Sequence, residues 1–252
     1  MRPKRKRRGN SRYFLFFVLI LLFVGVLGTG IYMLLTNVSW FDVTTISHRG
    51  NAIIPDSLIT AKVKGCYSQN LFALSSAKIR KQFSGIARVK ELKIKKKLPS
   101  HLELIFTERP ATLWLKSSCG NLFPVDKEGT VLENYDGIAK EDLPIMSVFL
   151  SANQLKPGTK LHNRSLQKVL ALHNRITAEA PDFLPIISEY YIIDNTIHIV
   201  DARHGTSIIP SAKDLAAQLK RYQFVLDNGN IDSRSTVDLR YDKQVVVKEG
   251  NI

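Results

Sequence analysis

The sequence predicts an α+β protein carried on a single N-terminal transmembrane helix. Three observations lead there: a charge-free run of 23 residues behind a basic segment, a strand–helix–helix–strand–strand pattern after it, and a longer tract of short strands broken by two amphipathic helices. With 252 residues, the chain has room for one or two domains of about 150 residues, not four. Hydrophobic residues at 44% against 23% charged residues suit packed cores and exclude a wholly disordered chain.

Residues 1–12 carry Arg2, Lys4, Arg5, Lys6, Arg7, Arg8 and Arg12 and no acid, and residues 13–35 follow without a charge. At about 1.5 Å per residue that run reaches about 34 Å, enough for a hydrocarbon core of about 30 Å with some tilt. A cleaved signal peptide shares the basic start, and Gly28-Thr29-Gly30 resembles its exit, but its apolar stretch is typically only about 7–15 residues. The opposite flank, Thr36 to His48, has one charged residue, Asp42. This bias predicts a cytoplasmic N-terminus and residues 36–252 outside, with Trp40 and Phe41 as interfacial aromatics after a short tether. The net charge of +14 raises a nucleic-acid reading, yet no helix, finger or RNP pattern follows the basic tail. Orientation and anionic lipid account for it better.

Residues 36–110 are predicted to form the first exterior domain. Asp42 to Asn51 reads as a strand turning at Gly50-Asn51, and Pro55 to Lys64 as a helix with Leu58, Ile59 and Val63 at helical spacing, ended by Gly65. Ser75 or Ser76 caps a second helix to Phe83. Val89 to Lys95 alternates apolar and polar, the mark of a strand with one wet face; Lys97 to Ser100 turns the chain, and His101 to Glu108 returns. The expected core is Val43, Ile46, Leu58, Leu71, Ile79, Phe83, Val89, Leu102 and Leu104.

Residues 111–252 are predicted to form a β-rich domain with two helices. Short strands are expected at 112–115, 122–125, 130–132, 186–193, 197–200, 207–209, 235–240 and 244–248. One helix covers Asn163 to Glu179, with Leu166, Val169, Leu170, His173 and Ile176 inward. Ser211 is expected to cap the other, whose inward residues are Leu215, Leu219, Tyr222 and Leu226 and which stops at Asp227-Asn228-Gly229. The terminal strand, Gln244 to Lys248, comes last and is read as an exposed edge, a template for strand addition. Its alternative is a covered central strand, in which Val245, Val246 and Val247 are simply core.

Chemistry-bearing motifs are sparse. Ser75-Ser76-Ala77-Lys78 fits S-x-x-K, which would set a serine nucleophile beside a lysine base, but no S-D-N or K-T-G follows; a helix cap and a solvated lysine is the preferred reading. The six histidines form no H-E-x-x-H, and Cys66 and Cys119 form no C-x-x-C. Glu141-Asp142 reads as a surface acid pair. A Cys66–Cys119 disulfide and two separate thiols both stay open, the second preferred. Lys90, Lys93, Lys95, Lys96 and Lys97 form a basic cluster, read first as a solvated strand face and otherwise as a contact for anionic headgroups or wall polymers. No catalytic site, metal or cofactor is assigned.

The ensemble resembles the FtsQ/DivIB family of bacterial division proteins over nearly the whole chain. Four stretches carry the likeness: Phe41-Asp42-Val43 through Arg49-Gly50-Asn51; Asn70-Leu71-Phe72 with the later Val89-Lys90, Leu98-Pro99, Leu102 and Glu108-Arg109-Pro110; Phe123 through Leu132 with Leu143-Pro144; and Val237-Asp238-Leu239-Arg240-Tyr241, the most specific. Departures stand at Gly85 to Val89, at His204 to Ser207 and in the short C-terminal tail. The resemblance implies a POTRA-like first domain and an FtsQ-type β domain. It implies a non-enzymatic bitopic scaffold of the inner membrane, enriched at the septum, with FtsB- and FtsL-type partners and, through them, the septal wall synthase. It places partner contacts at Tyr241 and Lys243, which extends the edge-strand expectation to Tyr241, Lys243, Gln244, Val245, Val246, Val247 and Lys248. Two other readings are a POTRA-type chaperone for exported polypeptides and a serine-lysine hydrolase of the cell wall.

Overall fold

A computed structural model describes residues 11–135, 141–211, 213–229, 231–232, 235–242 and 244–249. The basic tail up to residue 10 thus lies outside the described residues. The first helix, α1 (Ser11–Asn37), extends the expected span by two residues at each end. From Tyr13 to Leu34 it is uncharged and exposed all round. In water such a surface has no cover; in a bilayer lipid supplies it.

The chain divides into two compact units. One runs up to Asn51 and takes in Asp56–Gln82 and Leu92–Phe106; the other holds Ala52–Pro55, Phe83–Glu91 and the chain from Thr107 on. After a 3-10 turn (Ser39–Phe41) come β1 (Thr45–Arg49), α2 (Asp56–Val63), α3 (Ser76–Phe83), β2 (Val89–Lys97) and β3 (His101–Glu108). The sheet order is β1-β3-β2, with β1 parallel to β3 from Thr45↔His101 to Arg49↔Ile105. A parallel pair needs a long crossover, and the two helices lie within it. Along β3, Leu102, Leu104 and Phe106 are buried at period two. Gly50 turns the chain with φ +82°, and a Cβ there would collide with the Phe106 carbonyl oxygen.

Of the expected core, Val43, Leu71, Ile79, Phe83, Leu102 and Leu104 are buried, while Ile46, Leu58 and Val89 are half-buried. Helix α2 turns Ile59 and Val63 inward instead of Leu58, because their spacing of four puts them on one helical face. Gly65 does not end the segment; a 3-10 turn continues from Lys64 to Cys66.

The second sheet has eight strands: β4 (Leu113–Lys116), β5 (Leu122–Val125), β6 (Ile145–Ser147), β7 (Ile187–Ile193), β8 (Thr196–Asp201), β9 (Ser207–Ile209), β10 (Thr236–Asp238) and β11 (Val246–Lys248). Their order is β11-β10-β9-β8-β7-β6-β4-β5. Helices α4 (Arg164–Glu179) and α5 (Leu215–Asn228) bury their apolar stripes in the same core as β4, β7 and β8. The Asn163 side chain caps α4, accepting from Leu166 N–H at 3.0 Å.

Four expectations change. Strand β6 was not foreseen. Residues 130–132 are not a strand; they make only the isolated bridges Val125↔Val131 and Thr130↔Lys160. Ser211 does not cap α5: the N-cap is Asp214, at φ +48°. The physical reason is Gln218, buried one turn into the helix, whose amide bonds Ser211 N–H (2.7 Å) and the Lys213 carbonyl and so folds the approach back. Glu141 is likewise not a free surface acid, since its carboxylate meets the Arg88 guanidinium at 2.7 Å. Arg88 is only 1% exposed. Its Nε donates to the Glu133 carbonyl (3.1 Å), and the Glu133 carboxylate accepts from Ala87 N–H and Arg88 N–H.

Candidate partner-docking edge

The last two strands are built from the Val237-Asp238-Leu239-Arg240-Tyr241 motif. Alternation puts Val237 and Leu239 into the core. Asp238, fully buried, accepts from Arg240 Nη2 at 2.6 Å and Nε at 2.9 Å. Arg240 is the main influence holding the Asp238 carboxyl below its ordinary 3.8, against burial; in return, the Arg240 guanidinium is held above its ordinary value. Tyr241 is 50% exposed, and its carbonyl accepts from Arg221 Nη1 of α5 at 3.2 Å. Beside it lies a groove of about 640 Å³ whose lining includes Lys213, Asp214, Arg221, Arg240 and Tyr241.

Strand β11 is the outermost of its sheet and pairs antiparallel with β10: Thr236↔Lys248, Val237↔Val247, Asp238↔Val246. Among the described residues no strand pairs with its other side, so the central-strand alternative is not what the fold adopts. Backbone parity decides which groups face out. Leu239 N–H donates to the Ile209 carbonyl and the Ser235 carbonyl accepts from Ser207 N–H, so odd-numbered residues of β10 face β9 and Thr236 and Asp238 face β11. Val246 and Lys248 therefore spend their backbone groups on β10, and Val247 turns its N–H and C=O outward.

The sequence-derived site maps onto this edge unevenly. The strand is Val246–Lys248, shorter than the expected Gln244–Lys248. Gln244 is exposed ahead of it, Val245 is half-buried against the core, Val247 is 40% exposed and Lys248 is exposed. Lys243 lies outside the described residues. Sequence reasoning missed Arg221 and Gln218. Gln218 had a signal, a polar residue beside Leu219 on the inward face of α5.

The other motifs resolve into structural roles. Ser75 Oγ accepts from Lys78 N–H at 3.3 Å, a helix cap. His173 is buried, bonds the Tyr190 hydroxyl at 2.9 Å, and burial holds its imidazole below the ordinary 6.5. His198 stacks on Tyr191 and bonds Ser207 Oγ at 3.0 Å. Cys66 is a free, buried thiol and Cys119 a free, exposed one; burial, the larger influence, raises Cys66 above its ordinary value despite the nearby Lys78.

No protein-family model matches the chain. Among curated proteins, the Cell division protein DivIB of Clostridium acetobutylicum is 28% identical over 162 residues, 64% of this chain and 59% of that protein. The Cell division protein DivIB of Clostridium botulinum (strain Hall) is 27% identical over 171 residues, 68% of this chain and 63% of that protein. The chain is thus similar to DivIB proteins, in line with its resemblance to the FtsQ/DivIB family. Its match spans less than two thirds of those relatives' length. Those relatives are named as cell-division proteins, and in this chain α1 is long and apolar enough to cross a membrane.

Proposed function

We propose that this protein is a non-enzymatic, single-pass scaffold of the division septum, with a cytoplasmic N-terminus, a POTRA-like domain over residues 36–110 and a β domain over residues 111–252. The β domain recruits FtsB- and FtsL-type bitopic partners by strand addition at β11, and through them connects to the septal wall synthase. The observation that carries this reading is the outward-facing Val247 of an outermost strand, in the same hairpin as Tyr241, which lines a groove with Lys213, Arg221 and Arg240. Main-chain pairing supplies affinity to an added strand, and flanking side chains select it.

The parity of the strand sharpens the test. Val247→Pro removes the outward donor and leaves the β10 ladder intact, whereas Val246→Pro breaks that ladder. Capture of an FtsB-type partner by the full-length protein in membranes is expected to be lost in Val247→Pro with the thermal midpoint unchanged. Normal capture by that variant would move docking elsewhere. Orientation is tested by a reporter fused after Ile252, expected to be active only outside the cytoplasm.

A further inference from the structure

The membrane helix is not joined to the first compact unit by a free tether. Asn70, 8% exposed, reaches back to α1: its Nδ2 donates to the carbonyl of Leu35 in the last turn of the helix (3.0 Å) and to that of Val38 just past it (3.2 Å), which also accepts from Phe41 N–H at 3.1 Å. Its Oδ1 meanwhile accepts from Phe72 N–H at 2.9 Å. The flanking backbone is laced to the exit segment, with Leu71 N–H on the Phe41 carbonyl, Val43 N–H on the Gln69 carbonyl and Ser68 N–H on the Val43 carbonyl. The β2–β3 turn joins the same end, since Thr44 N–H donates to the Ser100 carbonyl at 3.0 Å.

These bonds gather exposed apolar groups where the helix leaves the bilayer. Trp40 is 72% exposed, Tyr67 41% and Leu98 64%. Trp40 stacks on Phe41, and Phe41 meets Phe72 edge-on at 5.0 Å. Exposed Lys64 lies three residues before Tyr67, and exposed Lys97, which pairs with Glu103 at 3.1 Å, directly precedes Leu98. The opposite end of the sheet, at Arg49↔Ile105, is four register steps or about 13 Å further along β1. Large apolar and aromatic side chains with lysines beside them are costly to hold in water and suited to the headgroup region.

We propose that this end of the unit is a lipid-binding surface: Trp40, Tyr67 and Leu98 rest in the headgroup layer of the bilayer that α1 spans, and Asn70 is the positioning residue that holds them there. This rests on α1 spanning a membrane and is independent of what β11 recruits. The occupant is the bilayer itself, because the surface is continuous with the helix that enters it.

The test uses the full-length protein in phosphatidylcholine–phosphatidylglycerol vesicles carrying a nitroxide-headgroup lipid. Trp40→Phe and Trp114→Phe remove both native tryptophans, and a single tryptophan is returned as Tyr67→Trp, Leu98→Trp or, as a distal control in α2, Ser57→Trp. Quenching is expected to be several-fold stronger at positions 67 and 98 than at 57; equal quenching at all three overturns the surface. Asn70→Asp keeps the size and the acceptor for Phe72 but loses the two donors, so quenching at 67 is expected to fall toward the control while circular dichroism is unchanged. Quenching at 67 that survives Asn70→Asp overturns the role of Asn70. Failure of α1 to insert, read by protease accessibility, would instead refute the membrane helix on which the inference rests.

Discussion

The eight-stranded sheet ends in two different ways. At one side, β5 presents Pro124, which has no N–H to offer, and its carbonyl is taken by Leu132 N–H at 2.7 Å. Residues 130–132 lie over that edge through the Val125↔Val131 bridge. At the other side, β11 presents Val247 with both backbone groups outward and no described strand beyond it. A protein that needs protection from stray pairing covers both edges. Here one is closed by a proline and a clamped segment, and the other, among the described residues, ends in a valine with no strand against it.

The closed edge depends on Arg88, because the residue following its cover, Glu133, is held by that guanidinium and by the neighbouring amides. Arg88→Ala leaves the Glu133 carbonyl and Glu141 without their buried partner and is expected to cost about 3–5 kcal/mol, the scale for a broken buried ion pair. A urea midpoint unchanged by this substitution would show that the cover holds without its clamp. Next in size is the contrast at the open edge. Val246→Pro leaves a β10 carbonyl unpaired and is expected to cost about 1–3 kcal/mol. Val247→Pro is expected to stay within about 0.5 kcal/mol, the scale of a neutral surface change. Equal losses would mean that the strand parity is reversed.

Each side also holds a buried aspartate by an arginine: Asp126 with Arg109 at 2.8 Å near β5, and Asp238 with Arg240 near β11. Both carboxyls lie below their ordinary 3.8; at Asp126 burial pushes upward but is outweighed by Thr130 N–H, Arg109 and Glu128 N–H. A carboxyl with a lowered folded value contributes stability above the unfolded value of about 3.9 and loses it as pH falls through the folded value. His173 and His198 act earlier. Burial lowers both from 6.5, with Arg240 adding to the effect at His198, so the unfolded chain takes their protons first. Stability is therefore expected to decline in two stages, below about 6.5 and again below about 3.9. In thermal melts across pH, Asp238→Asn should flatten the second stage and, by removing the negative charge that raises His198, deepen the first. The smallest expected effect is Tyr241→Ala, within about 0.5 kcal/mol of wild type in stability for a half-exposed residue, yet weakening partner capture if the open edge is the docking site.

Much of this was legible in the residues. The apolar run, the period-two burial of Leu102 and Leu104 and the inward face of α4 follow from spacing alone. Strand β6 was not legible, because three residues after Pro144 carry no period to read. Arg88 was missed because an arginine reads as surface until its partners, 45 and 53 residues away, are in place. The edge position of β11 comes from the sheet order, and its length was not legible, since a run of valines does not show where the ladder stops. The unit division likewise groups Phe83–Glu91 with the later chain, through contacts no local pattern encodes.

The shortness of β11 sets how a partner must be held. With Val247 as the outward-facing residue of the strand, an added strand gains about two backbone hydrogen bonds there, worth roughly 1–3 kcal/mol net. A micromolar complex in solution needs about 8 kcal/mol. Under the proposed docking, the membrane helix supplies what the edge lacks: two bitopic chains in one bilayer meet at a high effective concentration, so a weak contact suffices. The same contact would then be quick to release, and assembly would follow the local density of partners in the membrane rather than the strength of any single bond.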